Sequence, residues 1–90
     1  MNYLKFDLGK LKAGKIVKVT LFGSAVNVRL LNSSNMYNYE HGHGYDSIGD
    51  LATKSLIEIR VPDNDHWFVV VDAKGLGKVE GKIDASVKVE

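Results

Sequence analysis

Apolar and polar residues alternate with a period of two along most of this chain. The plainest case is the last segment, where Val79, Gly81, Ile83, Ala85, Val87 and Val89 interleave with Glu80, Lys82, Asp84, Ser86, Lys88 and Glu90. That is the pattern of a β-strand with one face in a core and the other in water. Leu4, Phe6 and Leu8 alternate with Tyr3, Lys5 and Asp7, while Val17, Val19 and Leu21 alternate with Lys18, Thr20 and Phe22; both read as strands. Val26, Val28 and Leu30 repeat the pattern around Asn27 and Arg29. Gly23-Ser24 supplies a short turn before them, so residues 16–31 are expected to form a hairpin. Ile57, Ile59 and Val61 alternate with Glu58 and Arg60 as far as Pro62-Asp63-Asn64-Asp65, where proline fixes φ and Asp and Asn favour a tight turn. A second hairpin is expected there, returning through residues 66–72. This returning segment is apolar on both sides, with Phe68 and Val70 on one and Trp67, Val69 and Val71 on the other, as for a central strand covered on both faces. Ala73 to Lys78, with Gly75 and Gly77, reads as a loop into the final strand.

No stretch keeps a 3.6-residue apolar period, so helix is expected to amount to a turn or two, within Gly9–Ala13 or Ser47–Ala52. Asn32 to Asp50 is the exception to the alternation: nineteen polar, aromatic and glycine residues without a period. Loops of that length are uncommon in compact domains and are often either functional or disordered. Six strands need two facing sheets, because a single sheet would leave an apolar face wet. The expected fold is therefore all-β: one domain over residues 1–90, a small antiparallel β-sandwich of jelly-roll or immunoglobulin-like type with little or no helix.

Composition narrows the function more than the fold. A chain of 90 residues buries roughly 60–65% of its unfolded surface, enough for one modest core and too little for a deep catalytic cleft besides. Twelve basic and eleven acidic side chains leave a formal +1, which exerts little long-range attraction on nucleic acid or anionic lipid. The balance is uneven along the chain, with six basic and two acidic residues in 1–45 against six and nine in 46–90. No apolar run of about 18 residues and no secretory leader pattern is present, so a cytoplasmic protein without a membrane partner is expected. With no cysteine, disulfides, thiolate metal sites and cysteine nucleophiles are excluded.

Several motifs are weaker than they look. Gly9-Lys10-Leu11-Lys12-Ala13-Gly14-Lys15-Ile16 nearly matches a phosphate loop, but Ile16 lacks the hydroxyl that holds magnesium, and a strand rather than a helix follows. It reads as a lysine-rich turn. Asp63-Asn64-Asp65 begins like a calcium loop and lacks its glycine and terminal glutamate; turn chemistry explains it. Trp67 reads as core, its indole N–H requiring one acceptor. Among Ser24, Ser33, Ser34, Ser47, Ser55 and Ser86, none sits in a G-x-S-x-G elbow, so no catalytic residue is assigned and the chain is not expected to be an enzyme.

The stretch with the most chemistry is His41-Gly42-His43-Gly44-Tyr45-Asp46. Two imidazoles in a flexible segment, completed by Asp46, Glu40 or a distant His66, offer a metal site as one alternative. Met36, Tyr37, Tyr39 and Tyr45 lie in the same stretch. Tyrosines carry large apolar area with few rotatable bonds, and a cluster of them either recognises a partner or caps the open end of a sandwich.

Three segments carry a family resemblance: the opening MNYLKFDLGKLKAG, the central NVRLLNSSNMYNY and the closing PDNDHWFVVVDAKGLGKVEGKIDASVKV. Their most specific parts are Asn2-Tyr3-Leu4, Asn27-Val28-Arg29-Leu30 and His66-Trp67 running into Val69 to Asp72. On these the chain resembles the bacterial family called domain of unknown function eighteen eighty-three. The resemblance implies a small β-sandwich found alone or attached to other bacterial domains, TIR signalling domains among them. It implies no activity and lends no residue a role. The leading expectation is a non-catalytic binding module that needs no cofactor. It would present Tyr37, Tyr39, His41, His43 and Tyr45 to a protein or small polar ligand, since a rigid scaffold holding out an irregular loop is a common basis of recognition. The alternatives are a metal site at His41, His43, Asp46 or His66, and a structural domain that self-associates through its sheet edges into a homo-oligomer.

Overall fold

The computed structural model describes residues 3–22, 26–49, 51–52, 56–73 and 84–90. Seven strands and one helix follow in the order β1 (Leu4–Leu11), β2 (Ile16–Phe22), β3 (Val26–Asn32), α1 (Ser33–Glu40), β4 (Leu51–Ala52), β5 (Leu56–Arg60), β6 (Asp65–Asp72) and β7 (Asp84–Val89). The strands form two antiparallel sheets. One has the order β1-β6-β3 and is extended by the two-residue β4; the other has the order β5-β2-β7. The expected antiparallel sandwich is the architecture found. The proposed turn at Gly23-Ser24, the loop from Lys74 to Lys78 and the first part of the last strand, residues 79–83, lie outside the described residues.

The six long strands alternate between the sheets along the chain, so no two consecutive ones pair with each other. This corrects both expected hairpins. β2 pairs with β5 and β7, whereas β3 pairs with β6 and β4; β5 and β6 likewise lie in different sheets. The alternation is the same in either arrangement, because Val17, Val19 and Leu21 of β2 and Val26, Val28 and Leu30 of β3 turn toward the same interior from opposite sides. It differs from the immunoglobulin pattern, in which some consecutive strands share a sheet. Pro62-Asp63-Asn64 carries the chain from one sheet to the other, and the Asp63 carbonyl accepts the Trp67 indole N–H at 2.9 Å.

β1 changes parity part-way. Asp7 lies opposite Phe68 and Gly9 opposite Trp67, so Leu8 is the extra residue of a bulge. Gly9 has φ +71°, a conformation open to glycine and strained for most other residues. Beyond the bulge the odd positions face inward, which is why Leu4, Phe6 and Leu8 and then Leu11 all pack against one core, and why Lys10 faces outward beside His66.

The outer faces of the two sheets differ. On the β5-β2-β7 sheet Lys18 reaches Glu90 at 2.7 Å and Glu58 at 4.0 Å, while Lys88 reaches Glu90 at 3.3 Å; that face is charged and wet. On the β1-β6-β3 sheet the outward Leu31 and Val70 are fully buried with Met36 and Tyr39 of α1, and Tyr3, Tyr45 and Phe68 pack around them. The two-sided apolarity of residues 67–71 thus serves two cores, one between the sheets and one beneath the helix.

The helix corrects the reading of Asn32 to Asp50 as irregular. Asn32 caps it, its side-chain oxygen accepting the Asn35 N–H at 3.0 Å, and Gly42, with φ +73°, follows its last turn. These are ordinary start and stop signals. Only Met36 and Tyr39 are buried, too few to establish a period. After α1 the chain doubles back, with the Asp46 N–H on Asn35 Oδ1 at 2.9 Å and Ile48 bridged to Leu30. Gly49, φ +104°, brings its backbone against the Val28 carbonyl, so that a Cβ there would collide with that oxygen.

Two substitutions test these supports. Gly49→Ala is expected to destabilise the domain by about 3 kcal/mol or more, since it adds both strain and a backbone clash. Asn32→Ala is expected to cost about 1 kcal/mol through the lost cap. Urea denaturation followed by tryptophan fluorescence ranks the two; a Gly49→Ala variant as stable as the parent contradicts the close approach.

Candidate functional site

The expected site residues divide between the surface and the interior. Tyr37, on the solvent side of α1, is 57% exposed. Its ring stacks on His41 at 4.0 Å with planes 18° apart, and His43 meets it edge-on at 6.3 Å. His41 is the C-cap residue, and its Nδ1 lies 3.1 Å from the Tyr37 carbonyl. Nδ1–H donates to that carbonyl, which fixes the ring against the helix end. The turn is held by the His43 N–H on the Asn38 carbonyl at 2.9 Å. Tyr37, His41 and His43 therefore form one exposed aromatic patch at the C-terminal end of the helix.

Tyr39 and Tyr45 are placed elsewhere. Tyr39 is 4% exposed and is flanked edge-on by Tyr3 at 5.2 Å and Tyr45 at 5.1 Å. Its position three residues after Met36 turns it onto the sheet, so it belongs to the interior and not to the presented surface. Tyr45 is half-buried, with the Arg29 guanidinium 5.7 Å from its ring centre, and it helps cover the helix-side core.

Beneath this cluster lies a polar centre that the residue pattern did not reveal. Asp72 is fully buried and accepts from Asn27 Nδ2 at 2.9 Å, Arg29 Nε at 3.0 Å and the Tyr39 hydroxyl at 2.6 Å. A buried carboxylate is tolerated only when charge and hydrogen bonds compensate its lost hydration, and here a cation and two neutral donors do so. Burial pulls the Arg29 guanidinium down, but the hydrogen bond and charge of Asp72 outweigh this and hold it above its ordinary value. Burial, reinforced by the hydrogen bond to Asp72, pushes the Tyr39 phenol far above its ordinary value. Asn27, Arg29 and Asp72 come from β3 and β6, the two central strands, and alternate with Val28 and Val71, which face the other core. The signal available in the sequence was the polar residues at alternate positions on strands otherwise apolar on both faces.

The metal candidates do not gather. The rings of His41 and His43 are 6.4 Å apart between centres, and His66 is on β6, where its Nε2 lies 2.5 Å from Asp7 Oδ1 and its ring stacks on Phe68 at 4.8 Å. Asp46 is exposed, held by its backbone N–H on Asn35. Glu40 pairs with Lys5 at 3.1 Å and accepts from the Tyr3 hydroxyl at 3.1 Å. Among the described residues no three His, Asp or Glu side chains are grouped to hold an ion. Nor is any described helix long and apolar enough to cross a membrane.

A two-sheet antiparallel sandwich with one helix closing a second core over its outer face defines the architectural class of this domain. The chain belongs to the family described as Domain of unknown function (DUF1883), whose model matches residues 1–89. Among curated proteins and among solved structures, none matches the chain. The segments that carry the resemblance meet in space: Asn27 and Arg29 of the central one and Asp72 of the closing one share the buried network, and Tyr3 of the opening one packs on Tyr39.

Removing the Asp72 carboxylate leaves Arg29 without its partner; Asp72→Ala is expected to cost about 3–5 kcal/mol, and Tyr39→Phe about 1–3 kcal/mol by leaving one acceptor position unfilled. Urea denaturation checks both, and an Asp72→Ala variant of parental stability contradicts the network.

A pH effect follows with a definite sign. The Tyr39 phenol is raised above its ordinary 10, so the fold favours its neutral form; that stabilisation is intact below about pH 10 and is lost as pH climbs beyond it. Tyr39→Phe is therefore expected to flatten the alkaline limb of a stability-against-pH curve. An unchanged limb would show that Tyr39 ionises freely in the native state.

Proposed function

We propose that this domain is a non-catalytic binding module that uses the Tyr37–His41–His43 patch to engage a protein or a small polar ligand. One observation carries the reading: an exposed tyrosine, parallel to an imidazole at 4.0 Å, is mounted on a helix whose opposite side is fixed in a core. Tyr and His present flat, polarisable faces with few rotatable bonds, so a prearranged pair of them loses little conformational freedom on contact. The patch is exposed, which suits a flat partner surface or a ring laid across Tyr37. The remaining polar groups of the cluster are committed: Tyr39 to Asp72, Glu40 to Lys5 and Tyr3.

The test separates contact from packing. The triple variant Tyr37→Ala, His41→Ala, His43→Ala is expected to keep a Tm within about 4 °C of the parent, since exposed substitutions usually change stability by less than about 0.5 kcal/mol. It is expected to lose most of the binding seen for the parent in side-by-side measurements on a glycan array and against partners captured from bacterial lysate. Lys18→Ala, on the opposite outer face, serves as the control. Equal binding by the triple variant and the parent contradicts the reading.

A further inference from the structure

We propose that the groove between the end of β1 and the Asn64 turn binds a small organic anion, its phosphate or carboxylate held by Lys10 and Lys12 and its carbon body lying on Leu11. The groove has a volume of about 580 Å³, within the range of small-ligand sites. It lies beside Ser33, at the start of α1, and does not involve Tyr37, His41 or His43.

Lys5, Lys18 and Lys88 each pair with a glutamate, whereas the side chains of Lys10 and Lys12, like those of Lys15 and Arg60, have no ion pair among the described residues. The fold also fixes the backbone that carries them. The bulge at Leu8-Gly9 turns Lys10 outward, opposite His66. Just beyond Lys12, the Ala13 N–H donates to Asn64 Oδ1 at 2.8 Å and the Gly14 N–H to the Val61 carbonyl at 2.8 Å. The first of these bonds also orients the Asn64 amide: with its oxygen engaged, its NH₂ group is left as a donor at the groove.

The walls offset only part of the positive charge, with one carboxylate against two lysines. Asp65 is the one carboxylate among the lining residues; its Oδ1 accepts the Ser33 hydroxyl at 3.3 Å and the His66 N–H at 2.6 Å. His66 is held against Asp7 and flat on Phe68, which makes it a fixed wall. Two unpaired ammonium groups, an amide donor and the leucine between the lysines thus make a site with a charged end and an apolar floor. An oxyanion gains charge-assisted hydrogen bonds from such donors, and an attached carbon body gains burial on Leu11. The segment that departs from a phosphate loop at Ile16 can act this way without magnesium or a following helix, because the donors are side chains.

Amide-resolved NMR titration of the full chain with phenyl phosphate, benzoate, inorganic phosphate and phenol tests the site. Saturable shifts confined to residues 10–13 and 64–66 are expected with phenyl phosphate, benzoate or both, and the responding member identifies the preferred head group. Inorganic phosphate is expected to bind more weakly than the preferred organic anion, and phenol not to shift these amides. Lys10→Ala with Lys12→Ala is expected to weaken binding at least about tenfold without changing the Tm. Asn64→Asp, which retains the acceptor for Ala13, is expected to weaken it as well. Absence of saturable shifts with both organic anions, or undiminished binding by the double lysine variant, overturns the proposal.

Discussion

The structure depends on one strand being dry on both sides. In β6, Trp67, Val69 and Val71 enter the core between the sheets, while Phe68 and Val70 enter the core beneath α1. Fully burying a valine side chain contributes roughly 1.5–3 kcal/mol, so the buried Trp67, Val69, Val70 and Val71 of this strand together outweigh any single cap or ion pair in the described structure. Because β6 lies between β1 and β3, its register sets theirs, and through them the positions of the bulge and of the outward side chains.

The helix exists on those terms. Eight residues rich in Ser and Asn fall short of the roughly 12–15 needed for even marginal stability in isolation, and the Asn32 cap adds only about 1 kcal/mol. What holds α1 is Met36 and Tyr39 seated on Leu31 and Val70, with the Tyr39 hydroxyl tied to Asp72. The aromatic patch at the C-terminal end of the helix is a consequence of that seating. Above all, the buried carboxylate makes the docking of the helix directional, since apolar packing alone would tolerate small rotations that the Asp72–Tyr39 bond does not.

The inside and outside of most of the long strands were legible in the sequence because alternation is a local property, and Ala85, Val87 and Val89 against Asp84, Ser86 and Lys88 follow it without exception, whereas the bulge that shifts β1 and the two-residue β4 left no such trace. Pairing was not legible. Pro62-Asp63 marks a place where the chain crosses between sheets, but alternation is equally satisfied whether the next strand lies alongside or across the interior, and for β2 to β3 and β5 to β6 it lies across. The helix was hidden because a short element with two buried positions has no measurable period, although Asn32 and Gly42 bracket it. Tyr39 and Tyr37 are alike in composition and differ only by rotation about that helix, so assigning both to a presented surface followed from reading the segment as irregular. The Asp72 network required knowing that β3 and β6 are neighbours.

The most direct test of the two-sided strand is native-state hydrogen exchange on a Val70→Ala variant, which trims the helix-side core and leaves the inner face of β6 unchanged. Amides of residues 37–41 should lose protection more than those of Val17 and Val19 in the far sheet. If helix protection is unchanged while the far sheet loosens, α1 does not depend on β6 and the account is wrong.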